Sequence, residues 1–309
     1  MAISAKDVSA LRAKTGVGMM DCKKALEETN GDFEEAAKLL KERGLVVAAK
    51  KAERITADGL VDILYDEATQ TAVMIEVNTE TDFVAKNEMF QEFVRGCLKV
   101  MLKEKPADVS ELLAKPFGDG SMTVDEALKD QVLQIKENIT IRRLAAAQGV
   151  LSTYVHNKGA IGVIVKVDAD AAALADAGFA EFKKNLALQI ASMGPLYICR
   201  ADVPESVIEE EKIKIAEQIK EDEANAKKPA NVIEKMIDGR INKYYNNSCL
   251  LEQDYVKEEK MSVSEYIDGC NKQSGGEAKV AAFYRFAKGE GIQKREDNFA
   301  EEIAQLTGR

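Results

Sequence analysis

Histidine is almost absent from this sequence, and its single copy, His156, limits the catalytic chemistry that the chain can support. A metal centre built on several histidines is excluded, and a Ser-His-Asp or Cys-His centre would depend on this one residue. No nucleophile signature accompanies His156, so its expected role is a surface contact or an edge position in a sheet. The sequence therefore predicts a protein that is not an enzyme.

Cysteine and phosphate-binding motifs are also scarce. The five cysteines are odd in number, far apart and never arranged as CxxC: Cys22, Cys97, Cys199, Cys249 and Cys270. Neither a zinc site nor a disulfide framework is indicated, and Cys22 is expected to be a small core residue. Because neither a GxxxxGK[ST] nor a GxGxxG loop occurs, we expect no bound nucleotide and no other cofactor.

An excess of positive charge and long apolar runs are missing too. With 43 Lys and Arg against 53 Asp and Glu, the chain has a formal net charge of -10. Binding to nucleic acid or to an anionic membrane needs a clustered basic surface, so neither is expected. No run approaches the roughly 20 apolar residues of a membrane helix, and the N-terminus lacks the order of a secretory signal. We therefore expect a cytoplasmic protein that is mature from Met1.

The first feature that is present is a small helical unit at the N-terminus. Ser4 with Asp7, and Asp32 with Glu35, can form capping boxes, which predict that helices begin just after Ser4 and Asp32. Two glycines in TGVGMM separate a further helix from the first. We expect three short helices, followed by a fourth and more polar helical segment, VVAAKKAERI (46–55), that serves as a connector.

Two alternatives are open for the methionines at the start of the second helix. Met19 and Met20, beside Lys23 and Lys24, can be core residues or an adaptable contact surface, since methionine is flexible and polarizable. The helical spacing alone places Met20 in the core and Met19 outside it.

Beyond this unit the apolar residues alternate with polar ones. DGLVDILYD and QTAVMIEVN predict an antiparallel hairpin with a turn near residues 66–70. Helices are expected over 87–104 and 124–138, and TIRRLAAAQG, VLSTYVHN and AIGVIVKVD predict three more strands. An Ala-rich helix over about 170–192 follows. Clustered strands with helices on one face are typical of an α+β fold.

A long helical hairpin is predicted in the last third of the chain. Apolar residues recur at roughly three-to-four- and seven-residue spacing over 204–226, namely Val207, Ile208, Ile215 and Ile219. After the Lys227-Lys228-Pro229 turn, Ile233, Ile237, Ile241 and Tyr244 are similarly spaced. Two helices with such a narrow apolar seam form an antiparallel pair that projects from the body. The same seam could pair with a second copy of the chain, so a homodimer stays open.

One short connection does not fit its neighbours. In NTETDFVAKNEMF (78–90), Asp82 and Phe83 stand side by side between a predicted strand and a predicted helix. A simple interpretation is that Asp82 caps the following helix and Phe83 folds back as a hydrophobic staple. The alternative is a contact with another molecule, and spacing alone does not exclude either.

Several long motifs in this sequence resemble those of the elongation factor Ts family, the guanine-nucleotide exchange factors of elongation factor Tu. The two most specific are TDFVAKN (81–87) and LRAKTGVGMMDCKKALEETNGDFEEAAKLLKERG (11–44). The resemblance continues in the same order along nearly the whole chain, through ENITIRR (137–143), YVHNKGAIGVIV (154–165), EKMIDGR (234–240) and RFAKGEGIQKREDNFAEEIA (285–304).

The resemblance implies a multidomain α+β architecture. We expect a ubiquitin-associated-like three-helix N-terminal domain, two antiparallel-sheet core subdomains with covering helices, an inserted antiparallel coiled-coil hairpin and a C-terminal helical module. The corresponding ranges are 1–54, then 55–146 for the first subdomain, 147–197 with 251–289 for the second, 198–250 for the hairpin and 290–309 for the module.

The resemblance also implies site residues. The motif Thr81, Asp82, Phe83 and Val84 would enter the GTPase domain of elongation factor Tu near its switch II region and disturb the magnesium and phosphate site. The N-terminal domain would contact the same partner domain through Arg12, Met19, Met20, Lys23 and Lys51. The second core subdomain would contact the partner's third domain through His156 and Val256, and Ile135 would support the core near the motif.

Some positions depart from the family pattern. Lys136 stands where glycine is common, Lys257 stands where an apolar residue is common, and segments 115–122 and 168–181 are expected to be surface insertions. A different class of function also stays open, namely a scaffold or a binder of ubiquitin-like proteins that acts through residues 1–54 without nucleotide exchange.

Overall fold

The computed structural model of the chain describes residues 3–222, 228–258 and 260–293. Three helices form the N-terminal unit: α1 (Ala5–Thr15), α2 (Met19–Glu28) and α3 (Phe33–Lys51). Ser4 and Asp7 form the predicted capping box, and the Asp32 carboxylate accepts hydrogen bonds from the backbone N–H groups of Glu34 and Glu35. The helices therefore begin where the sequence predicts.

Two predictions about this unit are wrong. Residues 46–51 continue α3 and do not form a separate fourth helix, since the chain has no proline there and Gly44 is accepted inside the helix. Met20 is not a core residue, because its side chain is 65% exposed. The buried face of α2 is set by Cys22 and Leu26, and Met20 lies about half a turn away from that face.

The first sheet follows the N-terminal unit. Its strands are β1 (Asp58–Asp66), β2 (Thr71–Thr79) and β5 (Ile139–Gln148), in the antiparallel order β1-β2-β5. Between β2 and β5 lie α4 (Asp82–Ala85), α5 (Glu88–Glu104), α6 (Val109–Ala114), the short strands β3 (Pro116–Phe117) and β4 (Met122–Thr123), and α7 (Val124–Ile135). Segment 115–122 therefore includes a small two-stranded turn.

The second sheet has the same three-stranded antiparallel form. Its strands are β6 (Leu151–His156), β7 (Ile161–Ala169) and β8 (Ala278–Ala287), in the order β6-β7-β8. Three helices accompany it: α8 (Ala171–Ala175), α9 (Phe179–Met193) and α12 (Val263–Ser274). The single helix expected over 170–192 is thus two helices, which separate at Asp176 and Gly178.

The two sheets pack face to face, with helices on their outer faces. Val73 and Ile75 of β2 point toward Phe90 of α5, in what we call the first core, whereas Met74 points toward Ile164 of the second sheet. Every residue of β2 is buried for this reason. The connection that follows β2 therefore starts from a strand that is packed on both faces.

The helical hairpin consists of α10 (Glu205–Glu221) and α11 (Ala230–Ser248). The two helices pack through Ile215, Ile219 and Ile241, which confirms the predicted apolar seam. Residues 294–309 of the C-terminal helical module expected over 290–309 lie outside the described residues. Within the described ranges no helix is both long and apolar enough to cross a bilayer.

Candidate functional site

The connection after β2 exposes an aromatic side chain. The one-turn helix α4 begins at Asp82, and Phe83 is 77% exposed, more than any other large apolar side chain in the described part of the chain. Val84 is buried in the first core. We call residues Thr81–Val84 the hook, because Val84 anchors it from below while Phe83 projects into solvent.

The cap-and-staple interpretation of the hook is wrong. The following helix, α5, is capped by Asn87, whose side-chain oxygen accepts the Met89 N–H at 2.9 Å. Asp82 instead accepts a hydrogen bond from Lys86 Nζ at 2.6 Å. Phe83 cannot be a staple, because a staple buries its ring against the helix that it precedes.

Charge at the hook is balanced locally. The hydrogen bond from Lys86 is the main reason that the pKa of Asp82 lies below its ordinary value; burial acts in the opposite direction, and attraction to Lys86 and Lys288 adds to the lowering. The Lys86 ammonium also lies 5.6 Å from the centre of the Phe83 ring. Asp82 is therefore ionised at neutral pH and already has a partner before anything binds.

The backbone of the hook is held at both ends. At its start, the Thr81 N–H and hydroxyl donate to the two carboxylate oxygens of Glu137, at 2.9 and 2.7 Å. At the end of α4, the Gln91 side-chain amide donates to the Ala85 carbonyl at 3.0 Å. Sequence reasoning did not single out either Glu137 or Gln91, and the presence of Glu137 in the ENITIRR motif was the only signal available.

The predicted N-terminal contact residues lie on the outside of their helices. Arg12 and Lys23 are exposed, and Met19 and Met20 are both exposed on α2. Lys51 differs, because it donates a hydrogen bond to the backbone carbonyl of Lys136. Burial lowers the pKa of Lys51, and the nearby positive charge of Arg54 lowers it further. Lys51 thus connects the end of α3 to the turn between α7 and β5.

The predicted second contact lies elsewhere on the chain. His156 ends β6 at an exposed position, where its Nδ1 is 2.9 Å from the Tyr154 hydroxyl. Val256 is 42% exposed, and its N–H donates to Gln189. Ile135 packs against the first core. Among the described residues, no hydrogen bond, ion pair or ring contact joins His156 or Val256 to the hook.

The departures from the family pattern have clear structural settings. Lys136 ends α7 with a φ of 66°, a left-handed conformation that favours glycine, and its ammonium pairs with Asp21 of α2 at 2.9 Å. Lys257 forms a longer ion pair with Glu181, at 3.8 Å. The first lysine therefore adds a link between the N-terminal unit and the rest of the chain.

Comparisons with known proteins identify one family, through a family model over part of the chain and through relatives over nearly all of it. A family model described as Elongation factor TS matches residues 80–290. Elongation factor Ts of Trichlorobacter lovleyi is 42% identical over 313 residues, which cover 100% of this chain and 99% of the relative. Elongation factor Ts of Syntrophotalea carbinolica is 44% identical, and that of Clostridium botulinum strain Eklund 17B is 43% identical, each over 99% of this chain and 100% of the relative.

Proposed function

The chain belongs to the elongation factor Ts family of translation elongation factors, and from this we propose that it is a guanine-nucleotide exchange factor that binds elongation factor Tu with GDP bound. The hook enters the partner's nucleotide-binding domain near switch II, GDP leaves, and GTP rebinding displaces the factor. This activity is cytoplasmic and involves no covalent chemistry by the chain itself. The observation that carries the proposal is the 77% exposure of Phe83 on a backbone held at both ends.

A hook that is inserted into the partner in this way can cause GDP to dissociate without contacting the nucleotide. GDP in such proteins is held largely by backbone donors of a phosphate loop and by Mg²⁺, so a side chain that shifts those groups weakens the nucleotide. Reciprocity then requires that GDP weaken the binding of the exchange factor by the same factor. The nucleotide-free complex is consequently the tightest one until GTP enters.

The hook alone cannot supply the whole effect. A change of about four decades in affinity corresponds to roughly 5.5 kcal/mol of coupling, whereas burial of one Phe contributes about 1.5–3 kcal/mol. Additional contacts must therefore hold the partner. We assign them to the residues that the family resemblance implies: Arg12, Met19, Met20, Lys23 and Lys51 on the nucleotide-binding domain, His156 and Val256 on the third domain, and Ile135 as support beneath the hook.

The test is release of a fluorescent GDP analogue from elongation factor Tu, followed by stopped flow with increasing concentrations of the chain. Wild type is expected to accelerate release, and Phe83→Ala is expected to lower the maximal rate by at least about tenfold, since the lost burial of roughly 1.5–3 kcal/mol corresponds to such factors. Leu174→Ala removes another exposed apolar side chain, on α8, and serves as the matched control.

Two results would contradict the proposal. If Phe83→Ala accelerates release of the nucleotide from elongation factor Tu as much as wild type does, the hook does not cause nucleotide release. If wild type binds elongation factor Tu without any change in release, the chain acts as a scaffold through residues 1–54 or another surface, and the exchange function is wrong.

A further inference from the structure

We propose that Glu137 is a positioning residue for nucleotide exchange, because its carboxylate fixes the backbone immediately before Asp82 and Phe83. This inference rests on the proposed function of the hook and adds a residue to it. Glu137 does not touch the partner in this mechanism. It acts through Thr81, which lies 56 positions away in the sequence and in direct contact in the structure.

The contact between Glu137 and Thr81 is a two-point clamp. One carboxylate oxygen accepts the Thr81 N–H at 2.9 Å, and the other accepts the Thr81 hydroxyl at 2.7 Å. The Thr79 hydroxyl adds a third bond, to the Thr81 carbonyl at 2.8 Å. All three bonds are partly buried, and two of them involve a charged acceptor, which makes them stronger than neutral hydrogen bonds. The position of Thr81 is thereby fixed on both sides of its Cα.

The hook needs such a clamp because α4 cannot hold itself. A helix of one turn forms too few hydrogen bonds to offset the conformational entropy lost on nucleation, so contacts with the rest of the fold determine its position. Thr81 is the N-cap residue of α4, yet its side chain makes no capping bond to that helix. The Thr81 hydroxyl, which in many helices would accept a hydrogen bond from the first turn, instead donates a hydrogen bond to Glu137. The chain uses its N-cap residue to anchor the hook to another part of the fold.

The two residues that flank Glu137 are both held by contacts with other parts of the chain. On one side, Lys136 pairs with Asp21 of α2 at 2.9 Å. On the other side, the Asn138 N–H donates to the Glu80 carboxylate at 2.6 Å, and its side-chain amide donates to the Arg54 carbonyl at 2.8 Å. Residues 136–138 therefore form a bracket between the N-terminal unit and the hook, with the Glu137 carboxylate at its centre.

The bracket sets the direction of Phe83 without adding to its binding surface. The Phe83 ring is 77% exposed and lies beside the Lys86 ammonium, so its position follows mainly from the backbone beneath it. A group that must reach a defined place in a partner loses its effect when it is displaced by about 1 Å, commonly by large factors. Loss of the clamp should therefore reduce the maximal rate of release and leave affinity for the partner nearly unchanged.

The experiment compares Glu137→Ala and Glu137→Gln in the full chain by the same stopped-flow release assay with elongation factor Tu. Glu137→Ala leaves the Thr81 N–H without its acceptor, and we expect about a tenfold lower maximal rate, with the half-saturating concentration changed by less than about twofold. A glutamine amide can accept the Thr81 N–H and donate to the Thr81 hydroxyl, so Glu137→Gln should retain most of the rate. Glu67→Ala removes an exposed carboxylate from the β1–β2 turn and is the control.

A double variant distinguishes positioning from a general structural role. If Glu137 acts through Phe83, adding Glu137→Ala to Phe83→Ala should cause no further loss, because interacting sites are not additive. An equal loss in both backgrounds, an effect on the half-saturating concentration alone, or no effect of Glu137→Ala would each overturn the inference. If wild type itself fails to accelerate release, the proposed function fails, which is a different outcome from an active wild type with an equally active Glu137→Ala.

Discussion

The buried carboxylate of Glu76 accepts a hydrogen bond from the backbone N–H of Gly289 at 2.8 Å, across 213 positions of sequence. Glu76 lies on the central strand of the first sheet, and Gly289 lies in the turn that follows the edge strand of the second. Arg142 and Arg143 also donate to this carboxylate, at 3.1 and 2.5 Å. One buried charge therefore ties the two sheets together at the point where the chain leaves β8.

Replacement of Glu76 by glutamine should destabilise the chain. The carboxylate is fully buried and both arginines are partly exposed, so the variant leaves two hydrated cations beside a neutral amide. Breaking one side of a buried charge network commonly costs about 3–5 kcal/mol, and the partial hydration of the arginines places the expected loss near 2–4 kcal/mol. Urea unfolding measures it, with Glu67→Gln as the control. A loss below that of the control variant would contradict the argument.

The same carboxylate should make stability depend on pH. Burial raises the pKa of Glu76, but hydrogen bonds from Gly289, Asn78 and Arg143 outweigh burial, so the pKa lies below its ordinary value of 4.5. A carboxyl group with a lowered pKa in the folded state contributes stability above its unfolded pKa, and that stability is lost as the pH falls through the folded pKa. Glu76→Gln should therefore weaken the pH dependence of unfolding below about pH 5. If the free energy of unfolding of Glu76→Gln depends on pH as strongly as that of wild type, other carboxylates cause the loss of stability in acid.

A glycine at the interface between the sheets should not accept a methyl group. A Cβ at Gly162 of β7 would lie 2.5 Å from Val61 Cγ1 and 2.8 Å from the Met74 sulfur. Gly162→Ala should reduce the free energy of unfolding by about 1–3 kcal/mol, as overpacking does in other cores. Gly239 of α11 has no atom within 4 Å of its ideal Cβ, so Gly239→Ala should instead stabilise the chain by about 0.5–1 kcal/mol. Opposite signs in thermal unfolding would confirm the assignment.

Variants at the end of α7 can measure how much the left-handed backbone conformation of Lys136 lowers the free energy of unfolding. Lys136→Gly and Lys136→Ala both remove the ion pair with Asp21, but only glycine also relieves the positive φ. The glycine variant should be more stable than the alanine variant by about 1 kcal/mol. The lost ion pair is exposed and should contribute less than about 1 kcal/mol in either variant, less still at high salt. Equal stability of the two variants would show that the conformation at residue 136 costs nothing.

A charge at the predicted second contact should change affinity and spare the maximal rate. Val256 is exposed, so Val256→Asp should fold normally, but an aspartate in a partner interface must lose its hydration. We expect the half-saturating concentration in the release assay to rise about tenfold or more, while the maximal rate stays near wild type. A lower maximal rate with unchanged half-saturation would place Val256 at the nucleotide-releasing step instead.

The fold was largely predictable where contacts are local. The β1–β2 hairpin follows from alternation and a turn, and the helix starts follow from Ser4 and Asp32. The prediction for Met20 is wrong because a residue at the very start of a helix has few neighbours whose spacing could show which face is buried. The buried face of α2 is the one that packs in the same core as Ala36 and Leu40 of α3. The prediction of a separate connector helix over 46–55 is wrong because the polar end of one long helix and a separate polar helix have the same amino-acid composition.

The candidate site was predictable only in part. The Asp82-Phe83 pair stood out from its neighbours, but the sequence left a cap or a staple open. The contact that holds Thr81, two residues before Phe83, comes from Glu137, which is 56 positions away from Thr81 in sequence. Glu76 was not recognised at all, because its arginine partners lie more than 60 positions away. Long-range polar contacts leave no periodic signal.

The packing of α3 on α7 has a consequence for effective concentration. Leu133 of α7 belongs to the core of the N-terminal unit, and Lys41 pairs with Glu126 at 3.0 Å, so this unit is not joined to the first sheet by a loose linker. Short flexible linkers hold a second binding surface at millimolar effective concentration, and a fixed geometry that matches the partner exceeds this. If Phe83 and the exposed face of α2 contact the same partner, as proposed above, the second contact forms at a set distance from the first. The contributions of the two surfaces to affinity should then multiply.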